Sequence, residues 1–204
     1  MVTSTNAALT VIAATPLEAG SVRRAVPGVR VVETGIGLTK AGTERYDMVV
    51  SCGLAGGLRN DVPTGTIVIP REVGTTDGQT ITCDPRLSAA LVAAALQLGH
   101  SPSQERLLTS STLVTGDARR EMAERGFVAA DMETGLLRAL SLAAVRVVLD
   151  TPHQELSAAW LRPATAVADP RLWPQALWLW REAPRCARLA AAVLALALKQ
   201  LSAA

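Results

Sequence analysis

Short runs of β-branched and apolar residues alternate along this chain with alanine-rich segments whose apolar positions recur at helical spacing. The short runs are typical of strands buried on both faces of a sheet, and the longer segments are typical of helices that cover it. Strands are predicted over residues 9–14, 29–33, 48–52, 66–69, 107–114, 127–132 and 145–150. This rhythm predicts a three-layer α/β protein with a mostly parallel or mixed central sheet flanked by helices.

The alanine-rich segments carry helix start and stop signals. Residues 85–98 are predicted to form a helix, because Asp84 is a good N-cap and Gly99 follows the end. A second helix is predicted over about residues 118–125, and a third over residues 133–142, directly after a strand. Strands that alternate with helices in this way form βα units, whose strands run parallel.

The chain changes in character after Asp150, where prolines become frequent and all four tryptophans occur. We therefore expect an α/β domain over residues 1–155 and a C-terminal helical extension over residues 156–204. Residues 189–201 should form an apolar helix, and its apolar run is about half of the ~20 residues that a membrane-spanning helix needs. Two interpretations stay open: a helix packed on the sheet or on a second subunit, and a peripheral membrane contact with indoles at headgroup level.

Composition narrows the class of protein. Apolar residues make up 49% of the chain and charged residues 19%, which is typical of a globular protein. A net charge of +2 without a basic run argues against a nucleic-acid partner. Cys52, Cys83 and Cys186 lack metal-ligand spacing, so we expect reduced core thiols and no metal. Residues 1–8 lack the features of a secretory signal, and a cytoplasmic location is expected.

Acids and glycines follow the predicted strands. Glu18 follows the first strand, Gly35 and Gly37 follow the second, and Glu133 and Asp150 close the last two. The third strand leads into a glycine-rich segment, Gly53-Leu54-Ala55-Gly56-Gly57. Ligands of open parallel sheets bind outside the carboxyl ends of the strands, so these residues predict one site at one edge.

Two common nucleotide-binding motifs are missing from the sequence. Gly35-Ile36-Gly37 lacks the third glycine of a dinucleotide fingerprint, and no phosphate loop of the GxxxxGKS/T type occurs. A dehydrogenase and a P-loop kinase are therefore disfavoured, and no organic cofactor is expected.

Four segments together resemble a known superfamily. They are Gly35-Ile36-Gly37, Ser51 to Leu58, Asp131-Met132-Glu133 and Arg146 to Asp150. In this order they are similar to the purine nucleoside phosphorylases and nucleosidases, which include methylthioadenosine/S-adenosylhomocysteine nucleosidase and futalosine hydrolase. The resemblance covers about residues 9–150 and implies the nucleoside phosphorylase fold. The Gly-Leu-Ala-Gly-Gly-Leu segment is most similar to the hopanoid-associated phosphorylases, which implies removal of adenine from adenosylhopane, a lipid-linked nucleoside.

The resemblance implies an enzyme and a role for each acid. Asp150 would give a proton or hydrogen bond to N7 of the purine, which requires a carboxyl group that is protonated or shares a proton. Glu133 would accept hydrogen bonds from the ribose hydroxyls, and Glu18 would activate water. Without the resemblance, Glu133 is also compatible with a helix N-terminus and Asp150 with a turn cap. The other implied binding residues are Met132 at the sugar, Phe127 and Val128 at the adenine, Gly53, Ala55 and Gly56 at the nucleophile, and Gly35 and Gly37 in the second turn.

The nucleophile is water or inorganic phosphate, and the sequence favours water. Phosphorolysis needs cationic donors for the anion, whereas residues 48–52 are uncharged. The nearby cations are Arg23, Arg24, Lys40 and Arg45. Inorganic phosphate stays open as a co-substrate.

A short connection departs from the superfamily. Only nine residues separate Gly37 from Asp47, whereas a crossover between parallel strands normally contains a helix. The chain either makes a compact connection at residues 38–46 or has lost an element that supports the pocket and the interface of a homo-oligomer. A noncatalytic nucleoside-binding or assembly subunit is therefore the alternative to an enzyme.

Overall fold

A nine-stranded sheet forms the centre of the computed structural model, which describes residues 9–40, 44–161 and 166–203. The strands are β1 Leu9–Ala13, β2 Arg30–Glu33, β3 Arg45–Gly57, β4 Ile67–Val68, β5 Glu72–Thr75, β6 Thr80–Thr82, β7 Arg106–Thr109, β8 Phe127–Asp131 and β9 Arg138–Asp150. Their order is β2-β1-β3-β8-β7-β5-β6, with β9 paired to β3 and β4 paired to β9.

Strand β3 organises the sheet. It pairs in parallel with β1 and, along its whole length, with β9, from Arg45 opposite Arg138 to Gly56 opposite Asp150. Its last residues also pair antiparallel with β8, and β4 and β6 add further antiparallel pairs. The expected α/β class, with a mixed central sheet, flanking helices and a C-terminal helix, is therefore confirmed.

The helices lie on the sheet as amphipathic covers. They are α1 Pro16–Ala25, α2 Pro85–Gln97, α3 Asp117–Glu124 and α4 Trp173–Ala203. Helix α2 begins at the predicted residue, because Asp84 accepts a hydrogen bond from the Leu87 N–H and Pro85 takes the first position. Helices α1, α2 and α4 share one buried apolar cluster with β1, β3 and β9, whereas α3 packs on β8.

The predicted helix over residues 133–142 is wrong. One 3-10 turn, Thr134–Leu136, follows β8, and β9 begins at Arg138. Alanine and leucine in this segment favour a helix locally, but residues 138–142 pair with β3 in register. The long ladder between β3 and β9 satisfies these backbone groups and overrides the local preference.

Strand β3 is longer than the predicted strand over residues 48–52. The glycine-rich segment continues the strand to Gly57 instead of forming a turn. Its glycines provide space, since a Cβ at Gly56 would lie 3.0 Å from Asp150 Oδ1 and one at Gly57 would lie 3.0 Å from the Val148 side chain. The β5–β6 hairpin was not predicted, and β7 ends at Thr109, well before residue 114.

The connection between β2 and β3 is compact. Both strands pair in parallel with β1, and the described part of the connection contains the 3-10 turn Ile36–Leu38 and no α-helix. Gly35 and Gly37 adopt φ angles of 72° and 64°, a region that favours glycine. This turn brings the Gly37 N–H to the carboxylate of Glu133.

Helix α4 is much longer than the predicted apolar helix over residues 189–201. It packs against α1, α2, β3 and β9 and buries Cys186 and Leu194. Among the described residues, the segment Pro170–Ala203 alone is long and apolar enough to cross a membrane, with a mean hydropathy of 1.4 in its most apolar window. Core helices of soluble proteins meet the same criterion, so this is weak evidence for a span.

All three cysteines are buried and free of disulfides. Burial raises the pKa of the Cys52 and Cys83 thiols to about 12, which keeps both protonated at neutral pH. Among the residues that the structure describes, no group of His, Cys, Asp and Glu side chains is placed to hold a metal ion.

Candidate active site

Three buried acids surround the end of β3. Glu18 lies in the first turn of α1, Glu133 follows β8, and Asp150 ends β9. Glu18 contacts the backbone of β3 at Leu54, and Asp150 lies against Gly56. The structure thus brings together the three acids that the sequence placed after separate strands.

Glu18 is held as a hydrogen-bond acceptor. Its Oε2 accepts from the backbone N–H and hydroxyl of Thr15 at 2.8 and 2.7 Å, which completes a capping box at the start of α1. Its Oε1 accepts from the Leu54 N–H at 2.7 Å. A Cβ at Gly53 would clash with this oxygen, so glycine is required for the carboxylate to reach β3.

Arg146 is a fully buried cation at the centre of this group of acids. In the sequence it was identified only as the first residue of a motif, and it was given no role. Its Nη2 lies 2.8 Å from Asp131 Oδ2 and 3.5 Å from Glu133 Oε2. The same nitrogen donates to Ser51 Oγ at 2.6 Å and Thr134 Oγ1 at 3.0 Å. A lone arginine inside an apolar strand could have revealed this, since a buried charge needs buried partners of opposite sign.

Glu133 is the acid with a strongly shifted pKa. Burial raises its pKa from 4.5 to about 7, against the attraction of Arg146, and Asp131 raises it further. Its Oε1 accepts a hydrogen bond from the Gly37 N–H at 2.9 Å. At neutral pH the carboxyl group therefore exchanges readily between its acid and carboxylate forms.

Asp131 fixes the local backbone that carries Glu133. Its Oδ1 accepts from the Thr109 hydroxyl at 2.6 Å, and its Oδ2 accepts from the backbone N–H of Thr134 at 3.3 Å. The Thr134 hydroxyl also donates to Oδ2. These bonds join β7, β8 and the 3-10 turn, so that Glu133 is held toward Arg146.

Asp150 forms a buried ion pair with Arg119 of α3. Arg119 also donates to the Gly57 carbonyl oxygen at 2.5 Å and the Val114 carbonyl oxygen at 3.0 Å, and its Nε lies 3.1 Å from Glu155 Oε1. Asp150 therefore accepts hydrogen bonds here, whereas the sequence resemblance implied that it donates one to the purine. No sequence signal had pointed to Arg119.

A small cavity of about 30 Å³ lies beside Arg119 and Asp131. Met132, predicted to contact a sugar, is part of its wall. The wall as a whole consists of Gly56, Thr112, Leu113, Val114, Arg119, Ala130, Asp131 and Met132.

The remaining predicted residues divide between this region and the core. Phe127 lies at the start of β8, about 13 Å along the strand from Asp131, and its ring stacks on Arg106 at 4.4 Å. Val128 and Ala55 are buried in one apolar cluster. Phe127 and Val128 are therefore part of the apolar core. Gly37, Gly53 and Gly56 lie beside the acids, and Gly35 precedes the turn that carries Gly37. Four cations suggested by the sequence are exposed, namely Arg23, Arg24, Lys40 and Arg45.

Comparison with known proteins agrees with the fold. No protein-family profile and no curated protein matches the sequence. A 5'-methylthioadenosine/S-adenosylhomocysteine nucleosidase from Neisseria meningitidis is 17% identical, with a TM-score of 0.70 over 94% of this chain and 98% of that one. An S-adenosylhomocysteine nucleosidase from Streptococcus pyogenes is 13% identical, with a TM-score of 0.72 over 95% and 96%. A futalosine hydrolase mutant from Helicobacter pylori is 12% identical, with a TM-score of 0.67 over 94% and 98%.

These identities are low, so the similarity establishes the fold alone. The chain has the nucleoside phosphorylase and nucleosidase fold, over nearly its whole length.

Proposed function

We propose that this protein hydrolyses the N-glycosidic bond of a purine nucleoside and releases adenine. The observation that carries the proposal is the buried group of Glu18, Glu133 and Asp150 around the end of β3, with Arg146 between two of them. The fold that it shares with nucleosidases supports the same chemistry. The choice of adenine rests on the sequence resemblance.

The two acids beside Arg146 fit the sugar side of this reaction. Cleavage gives the ribose the character of an oxocarbenium ion, which a carboxylate stabilises through the hydroxyl groups and by its charge. Glu133 fits this role, because its Oε1 is already aligned by the Gly37 N–H. Glu18 is a fixed acceptor that can take a proton from an attacking water. Asp150 is assigned to the departing base, as the sequence resemblance implies.

The charges around Arg146 favour water over phosphate as the nucleophile. Asp131 and Glu133 both lie within 3.5 Å of its guanidinium, and Glu18 also acts on it. When Glu133 is ionised, three carboxylates around one cation leave a net negative environment that repels a phosphate anion. The other cations suggested by the sequence are exposed and do not reach this group.

Adenine release tests the proposal directly. The protein is incubated with adenosine, 5'-methylthioadenosine and S-adenosylhomocysteine, with and without phosphate, and free base and sugar are separated by chromatography. We expect adenine and free sugar without phosphate, and a rate that rises with pH through about 7, because Glu133 acts as a carboxylate. Release that depends on phosphate would favour phosphorolysis, and no release from any of these nucleosides would refute the enzyme.

Variants of the acids test their roles. Glu18→Gln and Glu133→Gln should each lower kcat by about 10²–10⁴-fold while the protein stays folded. Glu105→Gln is a matched control, since Glu105 is a surface acid that pairs with Arg59. Wild-type rates in Glu18→Gln would remove the general base from the scheme.

A lipid-linked substrate such as adenosylhopane, together with peripheral membrane contact, is the finer part of this proposal. Trp173, Leu177 and Trp180 are 61%, 64% and 73% exposed and recur at a spacing that places them on one face of α4. Exposed Arg181 and Arg188 flank this face, as suits anionic headgroups. Sedimentation with anionic liposomes should fall in a Trp173→Ser/Trp180→Ser variant, while turnover of soluble nucleosides is unchanged.

We also propose that the protein forms a homo-oligomer through a surface close to the active site. Leu140 on β9 is 86% exposed and Leu136 before it is 48% exposed, which leaves an apolar surface close in sequence to Glu133. Light scattering of the wild-type protein and a Leu140→Ser variant measures the state. A wild-type monomer at micromolar concentration contradicts this part.

A noncatalytic nucleoside-binding or assembly subunit is the second candidate. The ion pair of Asp150 with Arg119 and the compact β2–β3 connection favour it, because both depart from what the sequence resemblance implied. Calorimetric binding of adenosine without adenine release would support this candidate against the enzyme.

A further inference from the structure

Arg119 is a buried cation for which the acid-based scheme gives no role of its own. It reaches from α3 under the end of β3, where it contacts Asp150, the carbonyl oxygens of Gly57 and Val114, and Glu155. Burial of an ion pair is costly, and apolar side chains of similar size can often replace both partners without loss of stability. Because Arg119 lies beside the cavity, we infer that its guanidinium binds a ligand there.

Arg119 keeps hydrogen-bond capacity for a ligand. A guanidinium has five N–H groups and no acceptor. Among the described residues, its contacts engage the Nε–H and one N–H on each terminal nitrogen, so each terminal nitrogen has one further N–H. The side chain also forms part of the cavity wall together with Met132 and Gly56. A ligand atom that accepts a hydrogen bond is the matching partner.

The imidazole edge of a purine presents such an atom, because N7 is an acceptor in every purine. Resting on the nucleosidase function proposed above, we propose that Arg119 donates the hydrogen bond to N7 of the departing purine. Asp150 accepts a hydrogen bond from the guanidinium and positions it. A preorganised cation at the leaving group stabilises the charge that develops there.

The atoms and charges of this hydrolysis balance without a protonated aspartate. The C1'–N9 bond breaks and its electron pair goes to the purine, whose negative charge is stabilised by Arg119. Water adds its oxygen to C1' and gives a proton to Glu18. The purine anion takes a proton from solvent, and Glu18 releases its proton to solvent. The sum is nucleoside plus water giving free purine and free sugar.

Comparison of two substrates tests this role. One is adenosine, or the best nucleoside found above, and the other is 4-nitrophenyl riboside, whose leaving group has no N7 and departs as a stabilised phenolate. Arg119→Met should lower kcat for the nucleoside by about 10²–10³-fold and leave the nitrophenyl riboside near its wild-type rate. Arg119→Lys, which keeps a charged donor, should recover part of the nucleoside rate. Arg120→Met is the matched control, because Arg120 is an exposed neighbour paired with Asp117.

The pH profile and Asp150→Asn separate Arg119 from an aspartate acid. With Arg119 as donor, the wild-type kcat does not fall between pH 7 and 9, and Asp150→Asn loses less rate than Arg119→Met. A larger loss in Asp150→Asn, or equal losses on both substrates in Arg119→Met, overturns the proposal. If wild-type protein cleaves neither substrate, the nucleosidase function itself fails, whereas cleavage that is unaffected in Arg119→Met refutes only the role of Arg119.

Discussion

The pKa of Glu133 predicts a stability change that can be measured without any substrate. Folding raises this pKa from 4.5 to about 7, mainly because the carboxyl group is buried. Between these two values the folded protein holds a proton that the unfolded chain has released. The free energy of unfolding therefore falls as pH rises through this window and is flat above about 7.

The size of the effect follows from the shift. Each pKa unit corresponds to about 1.4 kcal/mol, so the rise to about 7 amounts to about 3 kcal/mol in full. Roughly 2.5 kcal/mol of this should be lost between pH 5 and pH 8.5. Glutamine cannot titrate, so the free energy of unfolding of Glu133→Gln should not show this loss. Relative to wild type, Glu133→Gln should therefore gain stability as the pH rises from 5 to 8.5.

Urea unfolding at the two pH values gives the required free energies. The free energy of unfolding changes between pH 5 and pH 8.5 in both proteins. The change in Glu133→Gln is subtracted from the change in wild type. Glu105→Gln is the control, because its ion pair with Arg59 lowers the pKa of Glu105 and its contribution is constant across this range. An equal pH dependence in wild type and Glu133→Gln would show that Glu133 is ionised as easily as in water.

Other substitutions test the packing of the site. Gly53→Ala should lower stability by about 1–3 kcal/mol in thermal melts and abolish adenine release, because its Cβ clashes with Glu18. Gly20→Ala on α1 is the control, since a Cβ has room there and the variant should be as stable as wild type or more stable. Arg146→Met should cost about 3–5 kcal/mol in urea unfolding, since it leaves buried carboxylates unpaired, and a loss below 1 kcal/mol would contradict the pairing. Thr15→Ala breaks the capping box and should cost about 0.5–2 kcal/mol by thermal unfolding, with a parallel loss of activity because Glu18 loses the hydroxyl donor of Thr15.

Local signals in the sequence were sufficient for much of the architecture. The caps of α2 are short-range contacts, so Asp84 and Gly99 located this helix nearly to the residue. The positions of Glu18, Glu133 and Asp150 after strands also follow from sequence, because the ends of neighbouring strands meet at one edge of a sheet. Apolar periodicity was enough to predict an α/β protein with a mixed sheet.

Other features depend on contacts between residues far apart in the chain, and only the tertiary structure decided them. Residues 138–142 are strand and not helix because they pair with β3, about 90 residues away. Gly53 and Gly56 are strand residues whose missing side chains admit Glu18 and Asp150. Arg119 takes Asp150 as its partner although 31 positions separate them. Burial, which no local pattern specifies, decides which of these charges are paired and which acid holds a proton at neutral pH.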